Sequence, residues 1–309
     1  LRITNNMLNR NFMTNLQSNL KRMEKYQNQL STGRSFNRPS EDPIAAVRSL
    51  QVRNDLNRTE QYLKNVKDSI TWLEQSENSL NEINEVIKRA YQLAVDAANG
   101  VKTEDDRQIV SHEIQQLQEQ LVQAANASFN GRFLFGGYNT ASKPFVLGGT
   151  PGDYTLTYNG KDLKEWTENE NIGRISYEAG LDLNFTVSFT GLDVFGAGAD
   201  NLFEVFNSFN KALLTDDSEM ISQSIDKLQQ QQNRILSLLG EVGGKHNRLT
   251  LIEKRYDQDI YNLKEAQSNI EYVDYAEAVM NSKMAEIVYQ AALSAAAGIM
   301  QPTLIDFLR

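Results

Sequence analysis

The chain has 309 residues, with 31 Lys and Arg against 40 Asp and Glu, and so a formal charge of −9 at neutral pH. That acidic balance argues against a general nucleic-acid binder, which needs cationic surface to displace counterions. There is no cysteine, which excludes disulfide frameworks and thiolate chemistry, and two histidines, His112 and His246, are too few for a multi-histidine metal site, so no cofactor is expected.

The helix breakers are unevenly spread. The prolines are Pro39, Pro43, Pro144, Pro151 and Pro302, and twelve of the eighteen glycines lie between Gly131 and Gly198. Breaker-poor ends and a glycine-rich middle predict helices flanking a region of strands and turns. A first helix is expected over Asn5 to Leu30, with Leu8, Phe12, Leu16, Leu20, Met23 and Leu30 on one apolar stripe and Gly33 suited to the left-handed cap that ends it. A second starts near Pro43, where proline fits the first turn and Ser40, Glu41 and Asp42 supply capping oxygens. Its stripe, from Leu63 and Val66 to Ala94 and Ala97, steps in threes and fours, the period of a bundle seam. Thr103 with Asp106 forms a capping box that opens a third helix.

The middle reads differently. Tyr154, Leu156 and Tyr158 alternate with threonines ahead of Asn159-Gly160, a hairpin-turn pair. Asp182 to Thr190 alternates strictly, which predicts one half-buried strand. From about Asn201 the helical rhythm returns. No proline interrupts 152–301, so a helix can run from Asp216 as far as Ile299 if it is continuous through its weak point at Gly240, Gly243 and Gly244. The two end helices are marginal alone, so they are expected to be disordered in a lone chain and helical once subunits pack. The fold class is mainly α with a small β-rich insertion, an elongated helical bundle whose N- and C-terminal helices pair as a coiled coil.

No segment carries a complete catalytic or cofactor-binding motif. Gly196-Ala-Gly198 begins a dinucleotide loop, but Asn201 stands where its third glycine belongs. His112-Glu113 opens a zinc-protease pattern that Gln116 breaks, so His112 reads as a solvated helix residue and His246 as part of the seam. The most apolar run, Ile287 to Met300, falls short of the ~20 residues of a membrane span, and Leu1 to Asn11 lacks the apolar stretch of a cleavable signal peptide.

Four segments carry a resemblance. Leu30-Ser-Thr-Gly-Arg-Ser-Phe-Asn-Arg-Pro-Ser-Glu-Asp-Pro43, which includes Gly33, Asn37, Pro39 and Asp42, is similar to the signature of the bacterial flagellin superfamily. Asn130-Gly-Arg-Phe-Leu-Phe-Gly-Gly-Tyr-Asn-Thr140, with Gly131, Phe135 and Gly136, resembles that family's turn into its variable domain. Glu241-Val-Gly-Gly-Lys-His-Asn-Arg-Leu249, with Gly243, Asn247, Arg248 and Leu249, and the ending Leu304-Ile-Asp-Phe-Leu308 complete the set. Gly244 departs from it, since the family more often has alanine there. Pro39 and Pro43 set the chain apart from filament subunits and bring it nearer the hook-associated members.

The resemblance implies a structural adaptor of the flagellum, not an enzyme, that joins hook to filament by helical head-to-tail packing. A filament subunit, flagellin itself, is the alternative. The implied partners are the first hook-associated protein, flagellin, lateral copies of the same chain and a cytosolic export chaperone, with no nucleic acid and no membrane. The implied location is extracellular, reached through the flagellar type III apparatus without a cleaved signal. The implied domains are 1–40 with 270–309 as a coiled-coil core, 41–135 with 200–269 as a helical rod, and 136–199 as a surface insertion. Subunit contacts are expected at Leu8, Phe12, Leu16, Leu20, Met23, Leu30, Ile270, Val273, Met280, Met284, Ile287 and Ala291.

Overall fold

The computed structural model describes residues 5–100, 103–150, 153–167, 170 and 172–299. It has seven α-helices and seven short strands among them. Helix α1 (Asn5–Thr32) stops where Gly33, at φ +69°, turns its N–H back onto the Gln29 carbonyl at 2.8 Å. Helix α2 (Pro43–Asn99) starts where the Asp42 carboxylate accepts from the Ala45 N–H at 2.9 Å. Helix α3 (Glu104–Ala125) opens on the expected box: the Thr103 hydroxyl accepts from the Asp106 N–H, and the Asp106 carboxylate accepts from the Thr103 N–H, each at 3.2 Å.

The chain then forms three small antiparallel sheets: β1 (Ser128–Phe129) with β2 (Arg132–Phe133); β3 (Phe145–Thr150), β4 (Asp153–Tyr158) and β5 (Lys161–Asp162) in that order; and β6 (Ser176–Gly180) with β7 (Leu183–Thr186). Tyr154, Leu156 and Tyr158 point into the core, and Asn159-Gly160, at φ 49° and 84°, makes the turn from β4 to β5. The single alternating strand expected over 182–190 is cut short. Strand β7 ends at Thr186, and Ser188 and Thr190 are buried instead of solvated. Their hydroxyls make that burial tolerable: Ser188 accepts from the Ile175 N–H at 2.7 Å, and Thr190 from the Asp193 N–H at 3.3 Å, capping helix α4 (Gly191–Phe195).

Helix α5 (Leu202–Thr215) buries Phe203, Phe206 and Phe209 against this insertion and α3. Helix α6 (Ser218–Glu271) runs unbroken through Gly240, Gly243 and Gly244. The helix does not continue to Ile299: it breaks at Tyr272–Asp274, and α7 (Tyr275–Ile299) follows. The cause lies far away in sequence. The Ser35 N–H donates to the Glu271 carbonyl at 2.7 Å and the Val273 N–H to the Gly33 carbonyl at 3.1 Å, so this stretch bonds to the α1–α2 loop instead of to its own next turn. Asp274 then restarts the helix, accepting from the Ala276 N–H at 2.9 Å.

Two compact units result. One holds 60–257 and the other 1–59 with 258–309. In the larger unit α2 and α6 run antiparallel: Lys67 lies 3.7 Å from Glu253, and Glu74 the same distance from His246. Val66, Leu73, Leu80, Ile87 and Ala94 of α2, and Ile221, Leu228, Ile235, Val242 and Leu249 of α6, repeat every seventh residue and are buried. That repeat keeps one seam facing its partner along both helices. In the terminal unit α1 and α7 pair, each serving as the other's neighbour.

Candidate functional site

The terminal pair is the place to look for subunit contacts, because its apolar residues are only partly used. On α1 Phe12, Leu16, Asn19, Met23, Tyr26 and Leu30 are half-buried, in alternating steps of four and three. The matching seam on α7 is made mostly of small residues. Ala278 is buried, and Asn281, Ala285, Tyr289 and Ala292 are half-buried. The pair is antiparallel: the Tyr275 hydroxyl donates to the Leu30 carbonyl at 3.4 Å, and Asn19 and Tyr26 share a cleft with Asn281, Ala285 and Val288. Small residues let the two backbones approach closely. They also turn the large side chains of α7 elsewhere.

The twelve expected contact residues therefore divide. Phe12, Leu16, Met23 and Leu30 sit in the α1 seam, and Ile270 and Val273 are half-buried on either side of the α6–α7 break. Leu20 is 44% exposed, Met280 and Met284 63% each, and Ile287 65%; Ala291 is also in water. The side chain of Leu8 lies outside the described residues. The α7 seam of Ala278, Asn281, Ala285 and Ala292 escapes a search for large apolar residues, although its heptad spacing is visible once small residues are counted.

The α6–α7 break is held by one carboxylate. Glu271 is 4% exposed and accepts from both Arg53 Nε and Nη2, at 2.6 and 2.5 Å, from Ser49 Oγ at 2.6 Å and from Gln267 Nε2 at 3.3 Å. The Arg53 guanidinium first, then the Ser49 and Gln267 hydrogen bonds, pull its pKa down to about 2 against the opposing effect of burial. Gln29 Nε2 ties the same knot to the loop by donating to the Ser35 carbonyl at 2.7 Å. Sequence reading missed Glu271, Arg53 and Ser49 altogether. A glutamate in a polar helix gives no local sign that an arginine 218 residues away will find it.

The motif residues fall in separate places. The first motif forms this loop: Gly33 ends α1, the Asn37 N–H donates to the Glu41 carboxylate at 2.9 Å, Pro39 is exposed, and Asp42 and Pro43 start α2. In the second, Gly131 at φ +76° completes the tight β1–β2 turn. Phe135 is fully buried, and its carbonyl accepts from Tyr158 Oη at 2.9 Å and the Gly191 N–H at 3.0 Å. Burial pushes the Tyr158 phenol up to about 12. Gly136 leaves no room for a side chain, since a Cβ there would sit 2.2 Å from the Asn139 carbonyl oxygen. In the third, Leu249 is buried in the seam, Gly243 is half-buried, Asn247 is exposed, and Arg248 lies 5.4 Å over the Phe185 ring. The fourth, Leu304 to Leu308, is outside the described residues.

Of the candidates for chemistry, His112 is exposed and His246 is half-buried with Nε2 3.7 Å from Glu74. Among the described residues no group of His, Asp or Glu is arranged to hold a metal, and no helix is long and apolar enough to cross a membrane.

Comparison with known proteins places these elements in a family. The bacterial flagellin N-terminal helical region matches residues 3–140, and the bacterial flagellin C-terminal helical region matches 220–308. Flagellar hook-associated protein 3 of Escherichia coli (strain K12) is 25% identical over 307 residues, 96% of this chain and 96% of that protein. Its namesake from Salmonella typhimurium (strain LT2) is 25% identical over 305 residues, 94% of each. Among solved structures, the flagellar junction protein FlgL from Legionella pneumophila aligns with a TM-score of 0.57 at 15% identity, over 73% of this chain and all of that one. At that identity the likeness carries the fold alone.

Proposed function

The chain belongs to the bacterial flagellin family, and we propose that it is the structural adaptor of the flagellum that joins the hook to the flagellin filament. The observation that carries this reading is correspondence with flagellar hook-associated protein 3 over 96% of both chains. The role is mechanical, with no catalytic step. The adaptor assembles by head-to-tail packing, because heterologous contacts between identical copies build rings or helical assemblies instead of closed dimers.

The finer reading assigns surfaces. The helices within 1–40 and 270–309 form the core through which copies pack, the helical parts of 41–135 and 200–269 form a rod, and 136–199 is a surface insertion. Leu20, Met280, Met284 and Ile287 meet other copies in that core, a reading supported by their exposure in the single chain. The first hook-associated protein lies on one side and flagellin on the other. A cytosolic chaperone covers the C-terminal helix until the flagellar export apparatus takes the chain out, uncleaved, to its extracellular place.

Deletion of the gene in its bacterium tests the role, with electron microscopy of the cells and an immunoblot of the medium for flagellin. Bare hooks with free flagellin in the medium are expected. Filaments still seated on hooks overturn the reading, and bare hooks with no flagellin anywhere make the chain the filament subunit. Leu20→Asp tests the surface. It places a charge at an exposed position, so the isolated chain keeps its helices by circular dichroism, while burial of that unpaired charge between copies blocks filament growth. Normal growth by this variant removes Leu20 from the contact.

A further inference from the structure

The charge of the chain is divided unevenly between its two units. The terminal unit, 1–59 with 258–309, holds 13 Lys and Arg against 11 Asp and Glu, and the larger unit 18 against 29, so they carry +2 and −11. Like charge disfavours contact between two larger units, whereas opposite charge favours a terminal unit on a larger one. Each unit also exposes an apolar patch whose flanking charges follow the same division.

In the terminal unit that patch is the first turns of α2. Ile44, Val47 and Leu50, each three positions after the last, are exposed. Such a cluster marks a contact surface in a way that single exposed apolar side chains do not. Leu50 lines a cleft of about 180 Å³ with Arg34, Phe36, Pro39 and Ala46. That volume is below the roughly 300–1,000 Å³ of small-molecule sites, which leaves an inserted side chain as its natural occupant. Among the described residues Arg34, Arg38 and Arg48 form no ion pair, and all three are exposed. The carboxylates nearby in sequence are engaged by backbone: Glu41 accepts from the Asn37 N–H and Asp42 from the Ala45 N–H, each at 2.9 Å.

In the larger unit the start of α3 and the end of α5 are tied together by Arg107 Nη1 and Asp216 Oδ1 at 3.1 Å. Ile109 of α3 and Leu214 of α5 are exposed there. Asp105 lies one turn before Ile109 on the same face of α3. Asp105, Glu104 and Glu219 are exposed, and among the described residues none of them forms an ion pair. Asp216 and Asp217 add to this acidic end, against Arg107 and Lys211. Aliphatic side chains among carboxylates complement aliphatic side chains among guanidiniums.

We propose that the Ile44, Val47 and Leu50 face of one copy docks on the Ile109 and Leu214 surface of a second copy, with Arg34, Arg38 and Arg48 meeting Glu104, Asp105 and Glu219. Two different surfaces meet, so the contact is heterologous, and each copy keeps one surface of each kind for the next. The inference rests on the head-to-tail reading above and supplies a pair of surfaces for it.

The chain has no cysteine, so introduced thiols report without background. Full-length Val47→Cys and Ile109→Cys chains, both altered at exposed positions and told apart by an affinity tag, are mixed and oxidised with copper phenanthroline, which traps brief contacts. Links between 47 and 109 are expected to outnumber 47–47 and 109–109 links by at least about tenfold. A chain carrying both substitutions is expected to give a ladder of linked oligomers. Adding Glu104→Gln and Asp105→Asn to the Ile109→Cys chain is expected to remove most of the excess, with circular dichroism unchanged. Links in random proportion, no links at all, or an excess that survives loss of both carboxylates overturns the proposal. So does a double variant that closes on itself as a monomer at every concentration. The gene deletion reads the role of the chain whichever surfaces meet, so bare hooks together with random links overturn this contact and leave the adaptor standing.

Discussion

At the scale of single residues, Glu271 gathers four hydrogen bonds onto one buried carboxylate. Its pKa of about 2 lies below the ordinary 4.5, so its contribution to stability is complete above the ordinary value and disappears as the pH falls toward about 2. Arg53 is 44% exposed and water screens its charge, so the shift corresponds to about 1–3 kcal/mol in the terminal unit. Thermal melts followed at α1 and α7 are therefore expected to lose stability between about pH 5 and about pH 2. Glu271→Gln flattens that slope, and a slope unchanged by the substitution assigns it to other carboxylates. Arg53→Ala acts at neutral pH, because it leaves a buried carboxylate with only Ser49 and Gln267, and costs about 3 kcal/mol.

At the scale of elements, the glycines of α6 are the clearest case of sequence cost without local return. A Cβ at Gly240 or Gly243 meets nothing within 4 Å, and the backbone there is helical. Gly240→Ala and Gly243→Ala are each expected to stabilise the larger unit by about 0.5–1 kcal/mol, read from urea midpoints. Gly191→Ala goes the other way, since its Cβ would lie 2.5 Å from both the Phe145 and Tyr158 rings. Elements built from local signals were legible in the sequence: the Thr103 box, the Asn159-Gly160 turn and the seam of α2 all rest on residues a few positions apart. The break at Tyr272–Asp274 was not. It contains neither proline nor glycine, and it forms because Gly33 and Ser35 supply hydrogen bonds from the other end of the chain. Ser188 and Thr190 misled for a related reason. Alternation assigns a polar residue to water, whereas a hydroxyl with a partner can be buried.

At the scale of the whole molecule, the two units differ in how completely they cover their apolar residues. The seam of α2 and α6 is closed, while α1 and α7 share a half-buried one. Amides of α1 and α7 in an isolated monomer are therefore expected to exchange at least tenfold faster than those of 66–94, measured by hydrogen exchange with mass spectrometry. Equal protection means that the terminal pair needs no neighbours at all. The resemblance to a family was legible because its motifs occupy turns and helix starts, where backbone geometry restricts residue choice. The knot around Glu271 was not, since it joins residues from distant parts of the chain.

The small-residue seam of α7 has one further result. By taking Ala278 and Ala285 inward, the helix leaves Met280, Met284 and Ile287 in water. Contact between such stripes acts only at close range, whereas the net charge of −9 repels across the screening length of about 8–10 Å. Association of isolated copies is therefore expected to rise with salt, as light scattering at increasing ionic strength would read. The side chains that α1 leaves uncovered would then set how many unassembled copies can coexist before they meet.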